Sequence, residues 1–144
     1  EEKRRLGERA YAKEWQAHER QVKRLVEEHR GKLINDTGDG FILSFTTPAS
    51  AVDCLNAVIE APGTSELSVR AGVNKGRAAT DTHGKLRGRD VDIASRICDC
   101  DLARPDRLVV DDQVGIKVAG KAWRKEAGVE LKGVGKRDLW VLQP

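Results

Sequence analysis

Gly31-Lys32-Leu33-Ile34-Asn35-Asp36-Thr37-Gly38-Asp39-Gly40-Phe41-Ile42-Leu43-Ser44-Phe45 is the stretch from which the rest of the chain can be ordered. Lys32–Ile34 reads as a short strand, Thr37–Gly40 as a tight turn and Phe41–Phe45 as the returning strand. Asp-Gly between apolar runs is a strong hairpin signal. Phe41, Leu43 and Phe45 alternate on one face, which reads as core.

Upstream, residues 2–29 form one predicted helix. Leu6, Ala10, Trp15, Val22, Leu25, Val26 and His29 recur at helical spacing with charge on the other face, and Gly31 stops the run. Downstream, Thr47 and Pro48 are an N-cap and a first-turn proline for a helix carrying Ala51, Val52, Leu55, Val58 and Ile59, ending before Pro62-Gly63. Leu67–Val73 alternates as a strand, with Gly76–Thr82 as its expected partner. Gly88–Leu102 is a third helix, with Val91, Ala94, Ile97 and Cys98 on one side. Leu108–Val110 is a strand, Asp112–Ala119 a short helix, and Val129–Leu131 and Asp138–Leu142 two further strands. This order predicts an α+β sandwich with a mostly antiparallel sheet. With one strand before Glu1, the core becomes the ferredoxin-like βαββαβ plan. The chain, 1–144, is therefore expected to be one domain lacking its first strand.

Composition limits the function classes. The 144 residues carry 26 Lys plus Arg against 23 Asp plus Glu, a net charge of +3. The two signs are interleaved, so charge gives no argument for nucleic acid. Sheet aromatics are few and no RNA-binding aromatic strand is visible, so no nucleic-acid partner is expected. No apolar run reaches the roughly 18–20 residues that cross a bilayer, and no membrane contact by this domain is expected. Glu1-Glu2-Lys3-Arg4-Arg5 is neither a signal nor a transit peptide, and the chain has no Met. It reads as a piece of a longer protein. Cys54, Cys98 and Cys100 are odd in number, and Cys98-Asp99-Cys100 is too close for a usual zinc knuckle. They read as reduced thiols of a cytoplasmic domain. His18, His29 and His83 do not cluster, and Trp15, Trp123 and Trp140 read as packing.

Three positions are candidates for phosphate chemistry. Asp39, flanked by Gly38 and Gly40 at a hairpin tip, suits a Mg²⁺ that also grips a phosphate; the same residues also make a plain type I′ turn. Arg96 lies among small neighbours in Asp92-Ile93-Ala94-Ser95-Arg96. It reads either as a phosphate fork or as a solvated helix arginine. Lys132, in Leu131-Lys132-Gly133-Val134-Gly135, reads either as a phosphate ligand or as a turn lysine. The run is too short for a Walker loop.

Taken in order, these runs resemble the class III nucleotidyl (adenylate/guanylate) cyclase catalytic domain. Gly31–Phe41 resembles its strand–turn–strand and Val69–Gly76 the strand that follows. Gly88-Arg-Asp-Val-Asp-Ile-Ala-Ser-Arg96 resembles its catalytic helix, and Leu131–Gly135 its last turn. The resemblance implies a head-to-tail homodimer with sites at the interface. It also implies two Mg²⁺ or Mn²⁺ ions per site and a nucleoside triphosphate converted to a 3′,5′-cyclic nucleotide and pyrophosphate. Asp39 would be one of two metal carboxylates, the other lying on the strand before Glu1. Arg96 would stabilise charge at the α-phosphate, and Lys132 would bind the triphosphate.

Two departures qualify that expectation. Where the family has an Asn that orients the ribose, this chain has Asp92, an acceptor-only group near phosphates. Asn35 and Lys85 stand where adenylate cyclases read adenine with a Lys and an Asp. Adenine reading by that pair is then not expected: the base is guanine or a pyrimidine, the latter as in antiphage cyclic-nucleotide signalling, or adenine read by other residues. The alternative is a catalytically degenerate homology domain that regulates or dimerises.

Overall fold

The computed structural model describes residues 2–36, 40–61, 69–77, 79–80, 82–83, 86–103, 107–118, 120 and 122–143, without the side chains of 2–8, 10–11, 35–36, 79–80 and 86–87. The described elements are α1 (Glu2–Glu28), β1 (Lys32–Asp36), β2 (Phe41–Ser44), α2 (Pro48–Glu60), β3 (Ala71–Val73), β4 (Ala79–Thr80), β5 (Leu86–Arg87), α3 (Arg89–Asp99), β6 (Leu108–Asp111), α4 (Asp112–Val118), β7 (Trp123–Leu131) and β8 (Gly135–Leu142).

A four-stranded sheet in the order β3-β6-β8-β7 is the centre of the molecule. β3 runs parallel to β6, and α3 lies on the connection between them. β6–β8 and β8–β7 are antiparallel. Leu108, Val109 and Val110 of β6 are all buried because helices cover both faces. Val109 meets Ile93 and Ile97 of α3, together with Leu131, Leu139 and Val141. Leu108 and Val110 point the other way, to Val52 of α2 and Val114 of α4.

The β1–β2 hairpin forms its own antiparallel pair, with a bulge between Leu33 and Asn35. Among the described residues, no hydrogen-bonded ladder joins it to the four-stranded sheet. It is held instead by apolar packing. Phe41, Leu43 and Phe45 sit on Val22, Leu25 and Val26 of α1 and on Cys54 and Val58 of α2. The expected core face of β2 is therefore the observed one.

Local signals set the helix ends. The Thr47 hydroxyl accepts from the Ser50 amide at 3.2 Å, with Pro48 opening α2. α1 ends differently from the expectation. Arg30, not Gly31, takes the left-handed conformation at φ 59°. Gly31 donates to the Val26 carbonyl at 2.8 Å and Arg30 to the Glu27 carbonyl at 3.1 Å, a Schellman closure. Gly31 is small for another reason: a Cβ there would lie 2.4 Å from Phe45 Cε1.

The strand expectations after residue 66 need three corrections. Gly76–Thr82 is not the partner of β3. Its described part pairs as β4 with β5, while β3 pairs with β6. Residues 74–77 are tied by side chains rather than by a ladder, as described below. The expected start at Leu67-Ser68 lies outside the described residues. β7 and β8 are much longer than the short runs expected, because the consecutive charged residues Arg124–Glu126 and Lys136–Asp138 leave this hairpin little apolar alternation. α3 ends at Asp99, before the expected Leu102. Among the described residues, no helix is long and apolar enough to cross a membrane.

Candidate active site

α3 carries two of the expected residues. Ile93 and Ile97, four apart, point into the core at 7% and 0% exposure. The preceding pair, Asp92 and Arg96, is therefore carried together on an exposed face. Among the described residues, no side-chain hydrogen bond or ion pair engages the Asp92 carboxylate or the Arg96 guanidinium. Both groups are open to a ligand. Asp90 and Asp92 lie in the first turn, where the helix dipole favours negative charge.

Lys132 lies in the turn between β7 and β8. Leu131 is buried against Ile93 and Ile97, and Val134 packs on the same cluster. Lys132 and Gly133, between them, are exposed. Gly133 and Gly135 hold φ of 74° and 104°, which an L side chain resists, so the glycines make this turn possible. Asn35 is elsewhere, on β1 opposite Ile42. Asp39 and Lys85 lie outside the described residues. Asp92 and Arg96 precede Ile93 and Ile97, and Lys132 follows Leu131, all three of those apolar residues belonging to one core cluster, while Asn35 is on the hairpin that packs on a different one.

Two carboxylates that the sequence reading did not single out secure this arrangement. Asp90 accepts from the Arg77 amide at 2.7 Å. Asp111 accepts from the Lys75 amide at 3.2 Å and from the Val114 amide at 2.9 Å, where it caps α4. The loop leaving β3 is thus pinned at one end to α3 and at the other to β6. Burial pushes the Asp111 carboxyl above the usual carboxylate range, against the pull of those two amides. Neither role has a signal in the sequence, because each depends on which loop folds back over the residue.

The remaining chemistry-bearing groups are structural. Asp112 accepts from Trp140 Nε1 at 2.9 Å, with Lys125 Nζ 3.4 Å away. The indole bond is the first cause holding its carboxyl below the usual range. Cys54, Cys98 and Cys100 are free. Burial pushes the Cys54 thiol up to about 11 and raises Cys98, so both are poor nucleophiles. Among the described residues, no group of three or more His, Cys, Asp or Glu forms a metal cluster.

The fold, a sheet covered by helices on both faces with α3 on the β3–β6 crossover, has counterparts among solved structures. The crystal structure of an adenylate/guanylate cyclase/hydrolase from Silicibacter pomeroyi superposes with a TM-score of 0.82, covering 97% of this chain and 89% of that one, at 20% identity. The chain has the class III nucleotidyl cyclase fold. Adenylate cyclases from Trypanosoma brucei, solved in their monomeric state, match with a TM-score of 0.76 over 91% of this chain and 79% of theirs, at 14% identity. In sequence, the cyclase-fold chain is 30% identical over 105 residues to "Putative adenylate cyclase 3" of Rhizobium meliloti (strain 1021). That match takes in 67% of this chain and 17% of the relative, so the chain spans only a fraction of the relative's length. No family model matches the chain.

Proposed function

We propose that this chain is the catalytic domain of a nucleotidyl cyclase, acting as a homodimer on a nucleoside triphosphate. The ribose 3′-oxygen attacks the α-phosphorus and the bond to the β-phosphate's bridging oxygen breaks. Pyrophosphate leaves, and the 3′-proton is given up to solvent or a base. The observation that carries this reading is the exposed Asp92–Arg96 face of α3 within a cyclase fold. Arg96 would offset charge at the α-phosphate as it develops, and Lys132 would hold the leaving phosphates. Asn35 and Lys85 would meet the base, with Lys85 offering only donors. Asp39 would supply a carboxylate for the Mg²⁺ or Mn²⁺ ions that lower the charge on the triphosphate. The site would be shared by two subunits, as the resemblance implies. In that arrangement, the hairpin of one protomer faces α3 of its partner.

One observation favours a second reading. The Asp92 carboxylate is exposed four residues before Arg96, and it puts negative charge where a phosphate would approach. A degenerate domain that dimerises or regulates without turnover would tolerate this.

The test uses the full-length protein with Mn²⁺ and ATP, GTP, CTP or UTP in turn, with products separated and weighed. A single 3′,5′-cyclic product with equimolar pyrophosphate establishes the enzyme and names its base, a purine or the pyrimidine of an antiphage signal. No product from any of the four, with fold and dimer confirmed, overturns the cyclase and leaves the regulatory domain.

A further inference from the structure

His18 is the buried polar side chain among the described residues, at 6% exposure. Its Nδ1 has no hydrogen-bond partner. The imidazole is wedged between rings, 5.4 Å from Trp15 and 6.2 Å from Phe41 by centroids. Trp15 and Phe41 stack on each other at 5.7 Å and 5°. This slot is where α1 meets β2. Burial there lowers the proton affinity of His18 from its usual 6.5. A charged ring in the same slot would leave a donor unpaired in an apolar site, which is costly.

Among the described side chains, the surroundings offer little to hold such a charge. On α1, Glu14 is exposed, and Glu19 pairs with Lys23 at 3.0 Å. β2 carries no titratable group. On α2, Asp53 and Glu60 are exposed, and Cys54 is held protonated. β1 brings Lys32, exposed, and Asp36, the register partner of Phe41. None of the described hydrogen bonds or ion pairs joins any of these to the ring. The hairpin has no described ladder to the four-stranded sheet, so packing against α1 and α2 is what retains it.

We propose that the contact between α1 and the β1–β2 hairpin at His18 is an acid-released latch, opening locally while β3-β6-β8-β7 stays folded. The inference does not depend on the cyclase reading. Above pH 6.5 the ring is neutral whether the contact is closed or open, and the latch keeps its full strength. Below 6.5 the open form takes a proton that the closed form resists. The closed form therefore loses ground as pH falls from 6.5 to the lowered value, by up to about tenfold in the opening equilibrium per pH unit.

Amide hydrogen exchange on the full chain, read residue by residue from pH 7.5 to about pH 5 and corrected for intrinsic rates, tests the latch. Protection of the Leu33, Leu43 and Phe41 amides should fall by up to about tenfold per pH unit below 6.5. Protection of Val109 and Leu139 should hold. His18→Leu and His18→Phe, two variants in case one packs badly, should remove that pH dependence. A direct NMR titration of the imidazole should report a value below 6.5. Hairpin and sheet amides losing protection together would overturn the proposal, as would a pH dependence that survives in the folded variants. So would protection that rises on acidification and loses that rise in Asp36→Asn, because Asp36 would then be holding the charged ring.

Discussion

The Asp90 carboxylate accepts a hydrogen bond from the backbone amide of Arg77 at 2.7 Å. This ties the first turn of α3 to the loop that leaves β3, so the helix carrying Asp92 and Arg96 is located against the sheet from both ends. Ile97 anchors the far end in the core. Asp90→Ala should cost about 0.5–1.5 kcal/mol, the net worth of one partly exposed hydrogen bond. Gly76→Ala should cost more, about 1–3 kcal/mol, because its Cβ would fall 2.3 Å from the Asp90 Cβ and force loop and helix apart. Urea unfolding of both variants gives the ranking. Equal effects would mean that the loop yields freely.

The C-terminus of α1 leads to the opposite change. Arg30 occupies the left-handed position of the Schellman closure at φ 59°, where a non-glycine residue costs roughly 1–2 kcal/mol. Arg30→Gly keeps the Val26 and Glu27 carbonyl bonds and removes that strain, at the cost of a more flexible unfolded chain. Stability should rise by about 0.5–1 kcal/mol, read as a higher urea midpoint with an unchanged slope.

These two sites show what the sequence carried and what it did not. The hairpin, the core face of Phe41, Leu43 and Phe45 and the Thr47–Pro48 cap were legible, because periodicity and capping chemistry are local; of the expected α3 face of Val91, Ala94, Ile97 and Cys98 only Ile97 is fully inside, joined by Ile93, which was not expected there. The order of motifs also carried the cyclase fold. The pairing of β3 with β6 was not legible, since a parallel pair is made across an intervening helix. The length of β7 and β8 was hidden because their solvent face is charged. Asp90 and Asp111 carry no signal of their roles in the sequence, because their loop partners lie 13 and 36 residues away. Nor does His18 carry a signal of its burial, because its neighbour Phe41 comes from the hairpin. Of the candidate site, Asp92 and Arg96 share an exposed face of α3, Lys132 lies in the β7–β8 turn, and Asn35 is on the hairpin. Asp39 and Lys85 lie outside the described residues.

Asp111 makes a prediction with a pH sign. Its carboxyl is raised by burial, so the folded chain binds its proton at a pH where the unfolded chain has already lost it. Stability from this group is then fully present below the unfolded value of 3.8 and is partly lost as pH rises through the raised folded value. Asp111→Ala removes the α4 cap and the Lys75 anchor and should cost about 1 kcal/mol at pH 7. The difference from the parent should widen near pH 4, where the parent keeps a hydrogen-bonding group without its desolvation cost. Paired urea curves at the two pH values decide it; a difference that narrows on acidification would refute the burial argument.

Asp92 and Arg96 decide between the two functional readings, because they share a face and neither is engaged. If the domain is a cyclase, Arg96→Ala removes a cation that acts on the developing charge, and kcat should fall by about 10²–10³-fold. The fold should be untouched, since the side chain is exposed and packs on nothing in the core. Asp92→Asn then separates a damaged site from an adapted one. The amide keeps an acceptor, gains a donor and removes a negative charge from the approach to Arg96. In a damaged cyclase, turnover should rise, with the triphosphate KM falling as repulsion is relieved. In a site adapted to Asp92, turnover should drop while KM stays near the parent value. If neither variant changes product yield in a folded, dimeric protein that makes a cyclic nucleotide, the chemistry does not pass over this face of α3.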